Sequence, residues 1–454
     1  MIASFAAGPR RLAAAVALAG LLVLASAGPA AAASIKRSFT AGPFPVAGYS
    51  VKLGTTAGIP TPAVDASITA MSADVTDVKT GRQVPINRIM LHHIVFANLG
   101  AKGTSGPPVP FYGDGEERAQ MQLPPGYGYP ITAGDRWAIV WMLMNHKAKP
   151  DQVFIHYTIT YDVDPGLTPV VPLIFDASHG RQGLVYDVAG GRARGSVDTR
   201  THIRRAPFSG RIVAGLGHVH GGARDLALSQ PDCGDRQIYR SSPTWGLPNH
   251  PFYNVTPVLH EPGPINMSRF ASAQGIPVTA GQQLKLTSRY DAERPHTRVM
   301  GLMAVYLARD DSVTNGCAAL PTDTVTYRTS TPGRAAAPAI TVGLTGLNPF
   351  GRAVPIQGPP GAVRRYAGDA AVEVGDFFYR TGNISVPRGA TIRWRFDGQE
   401  PHNVTIANGP RGFSSDRLRG GGVYEKTLDQ PGTYRIFCEL HPVQMSQRVI
   451  VRSR

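Results

Sequence analysis

The sequence predicts an all-β protein built from several β-sandwiches. Its 454 residues are too many for one compact core, and 51 Gly and 39 Pro separate short apolar stretches rich in Val, Ile and Tyr. Stretches such as "AIVWMLM" from Ala138 and "VFIHYTITY" from Val153 have the length and composition of strands. Long helical patterns are absent from the sequence, so we expect two to four β domains, each with its own core.

The first 33 residues have the features of a secretory signal peptide. A short apolar run follows Arg10 and Arg11, and small residues precede a cleavage site expected after Ala33. The run is shorter than a full membrane span, which disfavours the alternative of an uncleaved anchor. We therefore expect a secreted, periplasmic or envelope-associated protein that has no transmembrane segment once the signal is removed.

Changes in composition divide the remaining chain into four parts. Two sandwiches are expected at residues 34–177 and 178–320, with a boundary near the stretch "ASHGRQG". Residues 321–365 are rich in Pro, Gly and Ala and lack periodicity, which is typical of a linker or of an extended arm on the surface. Residues 366–454 then form a separate domain.

The positive charge does not identify a partner. The formal net charge is +15, but Lys and Arg are dispersed along the chain rather than clustered. This distribution favours solubility or attraction to anionic envelope polymers, and it argues against a nucleic-acid partner.

The cysteines suggest one disulfide and one special thiol. The chain contains three cysteines, and export would place them in an oxidising compartment. Cys233 and Cys317 can form a disulfide, which leaves Cys438 without a partner and in need of another role.

The stretch "YRIFCELHPVQMSQRVIV" provides that role, because it carries Cys438, His441 and Met445 close together. An earlier stretch, "EPHNVTI", carries His402. A thiolate, two imidazoles and a thioether in this order are the ligands of a type 1 copper site. A disulfide cysteine with unrelated His and Met nearby is the disfavoured alternative.

Residues 366–454 resemble the cupredoxins of the plastocyanin and pseudoazurin type. The resemblance implies a Greek-key β-sandwich that binds one type 1 copper through His402, Cys438, His441 and Met445 and transfers electrons. Three residues separate His441 from Met445, whereas the best-known members have two or four. The length of the axial bond from the Met445 sulfur to copper is therefore left open.

Two further histidine pairs lie in the larger N-terminal part. The stretch "IMLHHIVFANLG" carries His92 and His93, and "GLGHVHGG" carries His218 and His220. Alternation along a strand puts both residues of a His-x-His pair on one face. Adjacent histidines normally point to opposite faces, so His92 and His93 can share an ion only through a bulge or through different ring nitrogens.

The order of these histidines along residues 75–310 resembles that of the copper type II monooxygenases, the peptidylglycine and dopamine β-monooxygenases. The resemblance implies two β-sandwiches that face each other across a cleft, each with one copper. By this resemblance the first copper is bound by His92, His93 and His146 and the second by His218, His220 and Met300. His156 is the rival to His146, and Met303 is the rival to Met300. The other histidines are expected to be structural or exposed: His179, His202, His250, His260 and His296.

The same region is also similar to the stress-up-regulated nodulin family. The stretches that carry this similarity are "VTDVKTGRQVPINRIMLHHIVF", "GLGHVHGG" and "HTRVMGLMAVYLA". The chain as a whole is therefore identified as a member of that family fused to a C-terminal cupredoxin. The family has no established reaction, so the similarity does not name one.

Two functions follow from these resemblances. The first is a copper-dependent oxidoreductase that uses O2 and external electrons to hydroxylate a C–H bond, with the cupredoxin domain as electron donor. Leu216, Leu302 and Ala304 stand where peptide-amidating enzymes have Arg, Asn and Tyr, so a small apolar substrate is expected rather than a peptide. The second is a non-catalytic blue-copper electron carrier or copper-binding envelope protein. A hydrolase is disfavoured, because the sequence has neither a Gly-x-Ser-x-Gly nor a His-Glu-x-x-His motif.

Both functions need copper and a redox partner or a small-molecule reductant. The cofactor expected from the sequence is one type 1 copper and up to two further coppers. No catalytic residue other than the metal ligands can be assigned from the sequence.

Overall fold

The computed structural model describes residues 34–102, 106–163 and 166–453, and its regular structure is almost entirely β-strand. The predicted signal peptide, residues 1–33, lies outside the described residues. The helical elements within these ranges are single 3-10 turns, at Gln182–Leu184, Pro231–Cys233 and Pro251–Asn254. None of the described helices is long and apolar enough to span a bilayer. The all-β fold class is confirmed.

The N-terminal strands form two facing sheets. Their bounds are β1 Ile35–Val46, β2 Val51–Ile59, β3 Ala66–Asp77, β4 Ile89–Ala101, β5 Val109–Gly115, β6 Met121–Gln122, β7 Tyr127–Ile131, β8 Asp135–Asn145, β9 Asp151–Asp162 and β10 Thr168–Asp176. One sheet has the order β2-β8-β4-β5, and the other begins β1-β9-β3-β7-β10. Buried and partly exposed residues alternate along β9, as expected for a strand with one face on a core.

The middle strands continue the larger sheet. Their bounds are β11 Tyr186–Val188, β12 Val197–Arg205, β13 Gly210–Val219, β14 Ala223–Gln230, β15 Arg236–Ser241, β16 Pro243–Gly246, β17 Asn266–Met267, β18 Arg269–Val278, β19 Gln283–Asp291, β20 His296–Val299 and β21 Gly301–Arg309. Strand β10 pairs in parallel with β7 and antiparallel with β21, so the sheet is continuous from β1 through β13 and β18. A second sheet, β12-β19-β14-β15, adds another core.

The predicted linker is an extended arm with short pairings. Its strands are β22 Val325–Tyr327, β23 Gly333–Arg334, β24 Leu344–Leu347, β25 Ala353–Ile356 and β26 Arg364–Arg365. Strand β22 pairs with β18, and β26 pairs with a strand of the C-terminal domain. The arm also contacts the body, because the carbonyl of Ile340 accepts a hydrogen bond from Arg294.

The C-terminal domain is a two-sheet sandwich. Its strands are β27 Ala370–Gly375, β28 Phe378–Tyr379, β29 Asn383–Pro387, β30 Thr391–Phe396, β31 Thr405–Asn408, β32 Gly422–Thr427, β33 Gly432–Phe437 and β34 Ser446–Arg452. The sheets have the orders β26-β29-β34-β33-β31 and β28-β27-β30-β32. Trp394 is fully buried between them, and its indole N–H donates to Gln447, so the one polar atom of this large side chain is satisfied.

The C-terminal domain packs directly on the body. Its apolar core is continuous with Met90, Met142 and Met144 of β4 and β8. Polar contacts flank this apolar contact: Ser414 donates to Asp187 at 2.8 Å, and Thr297 donates to the carbonyl of Ile406 at 2.8 Å. The domain therefore has a defined position against the histidine-bearing strands.

Cys233 and Cys317 form the expected disulfide, and Cys438 is free and buried. The bridge joins the turn after β14 to the segment after β21, residues that are 84 positions apart. A cross-link over such a long loop removes much conformational freedom from the unfolded chain.

We expect loss of this disulfide to destabilise the middle sandwich. The Cys233→Ser/Cys317→Ser variant should lose about 4.5 kcal/mol of unfolding free energy, the value for a loop of this length in the chain-entropy model. Denaturant unfolding of the variant, compared with the oxidised wild type, measures the difference. An unchanged midpoint would contradict the prediction, and Cys438 should remain the one reactive thiol of the unfolded, unreduced wild-type protein.

Candidate metal centres

Three donor atoms converge at one end of the C-terminal sandwich. His402 lies just before β31, Cys438 directly follows β33, and His441 lies in the turn that leads to β34. Cys438 Sγ is 3.8 Å from His402 Nδ1 and 3.7 Å from His441 Nδ1, and the two Nδ1 atoms are 3.1 Å apart. These atoms form the triangle that one thiolate and two imidazoles present to a single ion.

Surrounding contacts orient these donors. His402 Nε2 lies 3.2 Å from Asp376 Oδ1, which directs Nδ1 towards Cys438. The backbone N–H of Glu439 donates to Asn403, and the N–H of Cys438 donates to the carbonyl of Met445. Met445 is completely buried in the same core.

The protonation states suit a metal with affinity for sulfur and nitrogen. Burial lowers the pKa of His402, and burial with the neighbouring His402 ring lowers that of His441 to about 4, so both rings are neutral near pH 7. Burial raises the pKa of Cys438 to about 11. A soft thiolate with two neutral imidazoles fits copper, whose binding must displace the thiol proton.

A second group of imidazoles lies in the body, where β4 contains a bulge. The β4–β8 register shifts between Leu91 and His93, so that His92 is the extra residue. The bulge brings the rings of two adjacent histidines together, and His92 Nδ1 lies 3.2 Å from His93 Nδ1. A bulge was one of the two ways in which the sequence allowed these residues to share an ion.

His220 completes this group from the neighbouring sheet. It directly follows β13, and its ligand atom lies within 4.8 Å of those of His92 and His93. His220 Nδ1 lies 3.1 Å from the carbonyl of Arg298, while its Nε2 is buried without a partner. Burial is the largest cause that lowers the pKa of all three rings, that of His93 to about 3, so each offers a lone pair. We call His92, His93 and His220 the central histidine cluster.

The structure groups the expected ligands differently from the sequence-based assignment. His220 was expected on the second copper, but the two sheets pack closely enough to bring it to His92 and His93. His218 Nδ1 lies 2.8 Å from Glu117 Oε1, and its ring centroid lies 5.2 Å from that of His220. His146 follows β8 and is buried with both ring nitrogens unpartnered, outside the central histidine cluster.

Met300 lies beside the central histidine cluster and Met303 lies closer to the core. Met300 follows β20 and lines the same cavity as the three imidazoles. Met303 packs in the apolar core of the middle sandwich. His156, the rival to His146, lies within β9 opposite Asp74 of β3.

Sequence reasoning missed a carboxylate and a histidine at this site. His260 was expected to be structural or exposed, yet its Nε2 lies 2.7 Å from Oε1 of buried Glu116. Glu116 and His260 also share a second possible ligand group with His92. The only feature of the sequence that points to this carboxylate is the acidic pair Glu116 and Glu117 after "YGDG", and an adjacent acidic pair is not a characteristic spacing of metal ligands.

The remaining histidines have other surroundings. His296 is buried and lies 2.6 Å from Glu261. Burial opposes its protonation, but Glu261 and Asp291 outweigh this effect and raise its pKa to about 9. His202 accepts a hydrogen bond from the N–H of Asp176, and His250 accepts one from the N–H of Phe252. His179 is exposed.

Two cavities adjoin the central histidine cluster. A small one of about 80 Å³ lies between the cluster and the C-terminal domain, and Phe437 and Glu439 form part of its wall. A larger one of about 370 Å³ is predominantly apolar. His93, His218 and Met300 form one side of the larger cavity.

Comparisons with known proteins identify two regions of the chain. Residues 142–310 match the family model described as stress up-regulated Nod 19. Residues 366–452 match the model of copper-binding proteins of the plastocyanin/azurin family. The C-terminal part is therefore a copper-binding domain of that family, and this chain is a copper-binding redox protein.

Individual relatives are similar to part of the chain. Amicyanin from Paracoccus versutus is 28% identical over 131 residues, which cover 28% of this chain and 98% of that protein. A solved purple cupredoxin from Nitrosopumilus maritimus is 26% identical over 18% of this chain and 100% of its own, with a TM-score of 0.17. A reduced Cu(I) form of an amicyanin mutant is 26% identical over 19% of this chain and 85% of its own, with a TM-score of 0.18.

We expect Cys438 to be the source of a visible charge-transfer band in the copper-loaded protein. Cys438→Ser should abolish the band, because the thiolate is lost, while the exposed-histidine variant His179→Ala should keep it. At pH 8 a metal-free protein should release about one proton from the thiol as copper binds, because its pKa lies near 11. Visible absorption and proton release in weakly buffered solution are the measurements, and a colourless copper-loaded wild type would contradict the assignment.

Proposed function

We propose that this chain is an exported, copper-dependent oxidoreductase in which the C-terminal copper site and a site at the central histidine cluster exchange electrons. The observation that carries the proposal is a continuous connection between the two ligand sets. It uses four residues: Cys438, Glu439, Arg298 and His220.

The connection begins at the peptide bond from Cys438 to Glu439. The Glu439 side chain is 13% exposed, and its Oε2 lies 2.5 Å from Arg298 Nε in an ion pair. The carbonyl of the same Arg298 lies 3.1 Å from His220 Nδ1. One ion pair and one hydrogen bond therefore join a ligand of the C-terminal site to a ligand of the central cluster.

Arg298 is held firmly in this position. Its φ of 53° is in the left-handed region, which a residue with a side chain rarely adopts unless its surroundings impose it. The N–H of Arg298 donates to Asp187, and its guanidinium donates to the carbonyl of Ser415 in the C-terminal domain. These contacts fix the residue between the body and the C-terminal domain.

The donors at the central cluster suit copper. Three neutral imidazoles are present, and the thioether of Met300 lines the same cavity. Bound copper would supply one-electron redox chemistry at both sites. The chain's own contribution is to hold neutral nitrogens in place and to limit access of water to them.

The larger cavity supports a small apolar substrate. Leu216, Leu302 and Ala304, which replace the polar residues of peptide-amidating enzymes, all line this cavity. These side chains place apolar carbon close to His93 and Met300. Arg417 also lines the cavity, but its guanidinium already pairs with Glu439 at 2.6 Å. We therefore favour O2-dependent oxidation of a small apolar molecule, with no peptide substrate.

Electrons can enter the C-terminal site at His441. His441 is partly exposed, and the exposed ring of Phe377 contacts it with centroids 4.7 Å apart. Phe378 is also exposed and enlarges this apolar surface. Such a surface suits a redox partner protein or a small-molecule reductant.

The disulfide supports the exported location. Cytosolic reductants keep most thiols reduced, so a structural disulfide is typical of an oxidising compartment. The bridge between Cys233 and Cys317 is in keeping with removal of a signal peptide at residues 1–33.

A non-catalytic electron carrier is the second candidate. The similarity of the C-terminal domain to amicyanin favours it, and this function needs only the C-terminal site. The central histidine cluster would then bind metal or stabilise the fold without taking part in a reaction.

The first test of the proposal breaks the connection between the two sites. In the copper-loaded Arg298→Gln variant, the rate of electron transfer from the C-terminal site to the central cluster should fall at least about tenfold. A tenfold decrease corresponds to about 1.4 kcal/mol of activation free energy. Stopped-flow reduction, followed by reoxidation of the visible band, measures this rate.

Arg417→Gln is the matched control, because Arg417 also pairs with Glu439, at 2.6 Å. Unlike Arg298, Arg417 makes no described contact with His220. Both variants should retain the visible band. Equal transfer rates in the two variants would contradict the proposed route.

The second test distinguishes the enzyme from the electron carrier. Full-length protein loaded with copper should consume O2 when a reductant is supplied, and both His220→Ala and Cys438→Ser should reduce this uptake to the background level of protein without copper. His179→Ala, at an exposed position, should have no effect. If His220→Ala leaves reductant-driven O2 uptake unchanged, the enzymatic function is wrong and the electron-carrier function replaces it.

A further inference from the structure

The ring of His92 has polar neighbours on both of its nitrogens. Its Nδ1 faces His93 at 3.2 Å within the central histidine cluster. Its Nε2 faces away from that cluster and lies 3.4 Å from Oε1 of Glu116. One imidazole therefore belongs to two groups of possible ligands, and the second group has no role in the function proposed above.

Glu116 and His260 make up the rest of the second group. Glu116 lies just after β5, and His260 lies in the loop between β16 and β17. His260 Nε2 is 2.7 Å from Glu116 Oε1, and the ligand atoms of Glu116, His260 and His92 all lie within 4.8 Å of one another. The other carboxylate oxygen, Oε2, accepts the backbone N–H of Gly263 at 2.6 Å, which fixes the carboxylate plane.

We propose that His92 Nε2, His260 Nε2 and Glu116 Oε1 bind an additional divalent cation, and that the His92 imidazolate bridges this ion to the metal at the central histidine cluster. Two nitrogens and one oxygen form a borderline donor set without sulfur, which suits Zn²⁺ or Cu²⁺. Formation of the bridge requires His92 to lose its ring N–H proton, which passes to solvent. The negative charges of the imidazolate and of Glu116 then offset the two positive charges of the additional ion.

The charge environment of Glu116 favours a cation at this position. The Glu116 side chain is 3% exposed. Within the described part of the chain, no Lys or Arg lies within 4.0 Å of its carboxylate, and its ion-pair neighbours are the rings of His92 and His260. A buried carboxylate without a full counter-charge is costly, and a bound divalent cation removes that cost.

The surrounding structure accommodates the ion and provides a way in. A Cβ added to Gly263 would lie 2.6 Å from Glu116 Oε2, so glycine is needed for this close approach. Glu116 also lines an open cavity of about 440 Å³, together with Arg118 and Asn266. That cavity connects the carboxylate to solvent on the side away from the central cluster.

A simpler role for Glu116 is to orient His92 by accepting its N–H, as carboxylates commonly do for metal-bound histidines. Metal counting and magnetic coupling distinguish this role from direct binding. The inference rests on the proposed function only in that His92 is shared with the central cluster.

The experiment loads full-length, metal-free protein with Cu²⁺, removes unbound copper and counts the bound metal. Wild type should bind three coppers per chain, and Glu116→Gln and His260→Asn should each bind two. In wild type the two bridged Cu²⁺ ions should be magnetically coupled. Electron paramagnetic resonance should then detect fewer unpaired spins per chain than the number of bound copper ions. In both variants the detected spin should equal the copper content.

Glu117→Gln is the matched control, since Glu117 is the adjacent buried carboxylate and contacts His218 instead. It should keep three coppers and the coupled signal. Gln replaces Glu with little change in volume, and the visible band of the C-terminal site shows whether each variant is folded.

Two results would overturn the inference. One is a wild type with two fully detected coppers and a Glu116→Gln variant in which the second copper is merely held about 10 to 100-fold more weakly, as expected for an orienting carboxylate. That result leaves the proposed function intact. The other is a wild type with one copper per chain, which overturns both the inference and the proposed function.

Discussion

The largely buried carboxylate of Glu439, 13% exposed, makes the contact on which the relation between the copper-binding domain and the body depends. It directly follows the metal-binding cysteine and pairs with two arginines, Arg298 and Arg417. Burial opposes ionisation of Glu439, but the two guanidinium groups outweigh it and lower the pKa of the carboxyl. Removal of one partner from a buried pair typically costs about 3 to 5 kcal/mol, because the other charge stays buried. The domain is therefore strongly held in the one position in which all these charges are paired.

Both candidate centres are built from buried imidazoles. In each, exclusion of water penalises the protonated ring more than the neutral one, and the rings repel one another's charge as well. The neutral ring is the form that binds a metal. The packing that builds the core thus also favours the form of these rings that binds a metal.

The C-terminal site could be predicted closely from the sequence because its ligands are local. Cys438, His441 and Met445 lie within one short turn, and a single strand pairing, β31 with β33, brings His402 beside them. The disulfide could be predicted for a different reason, since Cys438 had a role that left Cys233 and Cys317 as the only pair. The all-β class followed from apolar stretches of strand length that are separated by turn residues. This pattern can be recognised without knowing where the domains lie or in which order the strands pair.

The central cluster could not be predicted to the same depth. The sequence alone determined that His92 and His93 could act together only through a bulge or through different ring nitrogens, because adjacent side chains on a regular strand point to opposite faces. Only the tertiary structure decided that His220 joins them, that His218 contacts Glu117 instead, and that Glu116 and His260 stand on the far side of His92. The contacts of His220 with His92, of His218 with Glu117 and of His260 with Glu116 each join residues about 100 or more positions apart. Periodicity reports which face of a strand a side chain occupies, but it carries no information about which other sheet that face will meet.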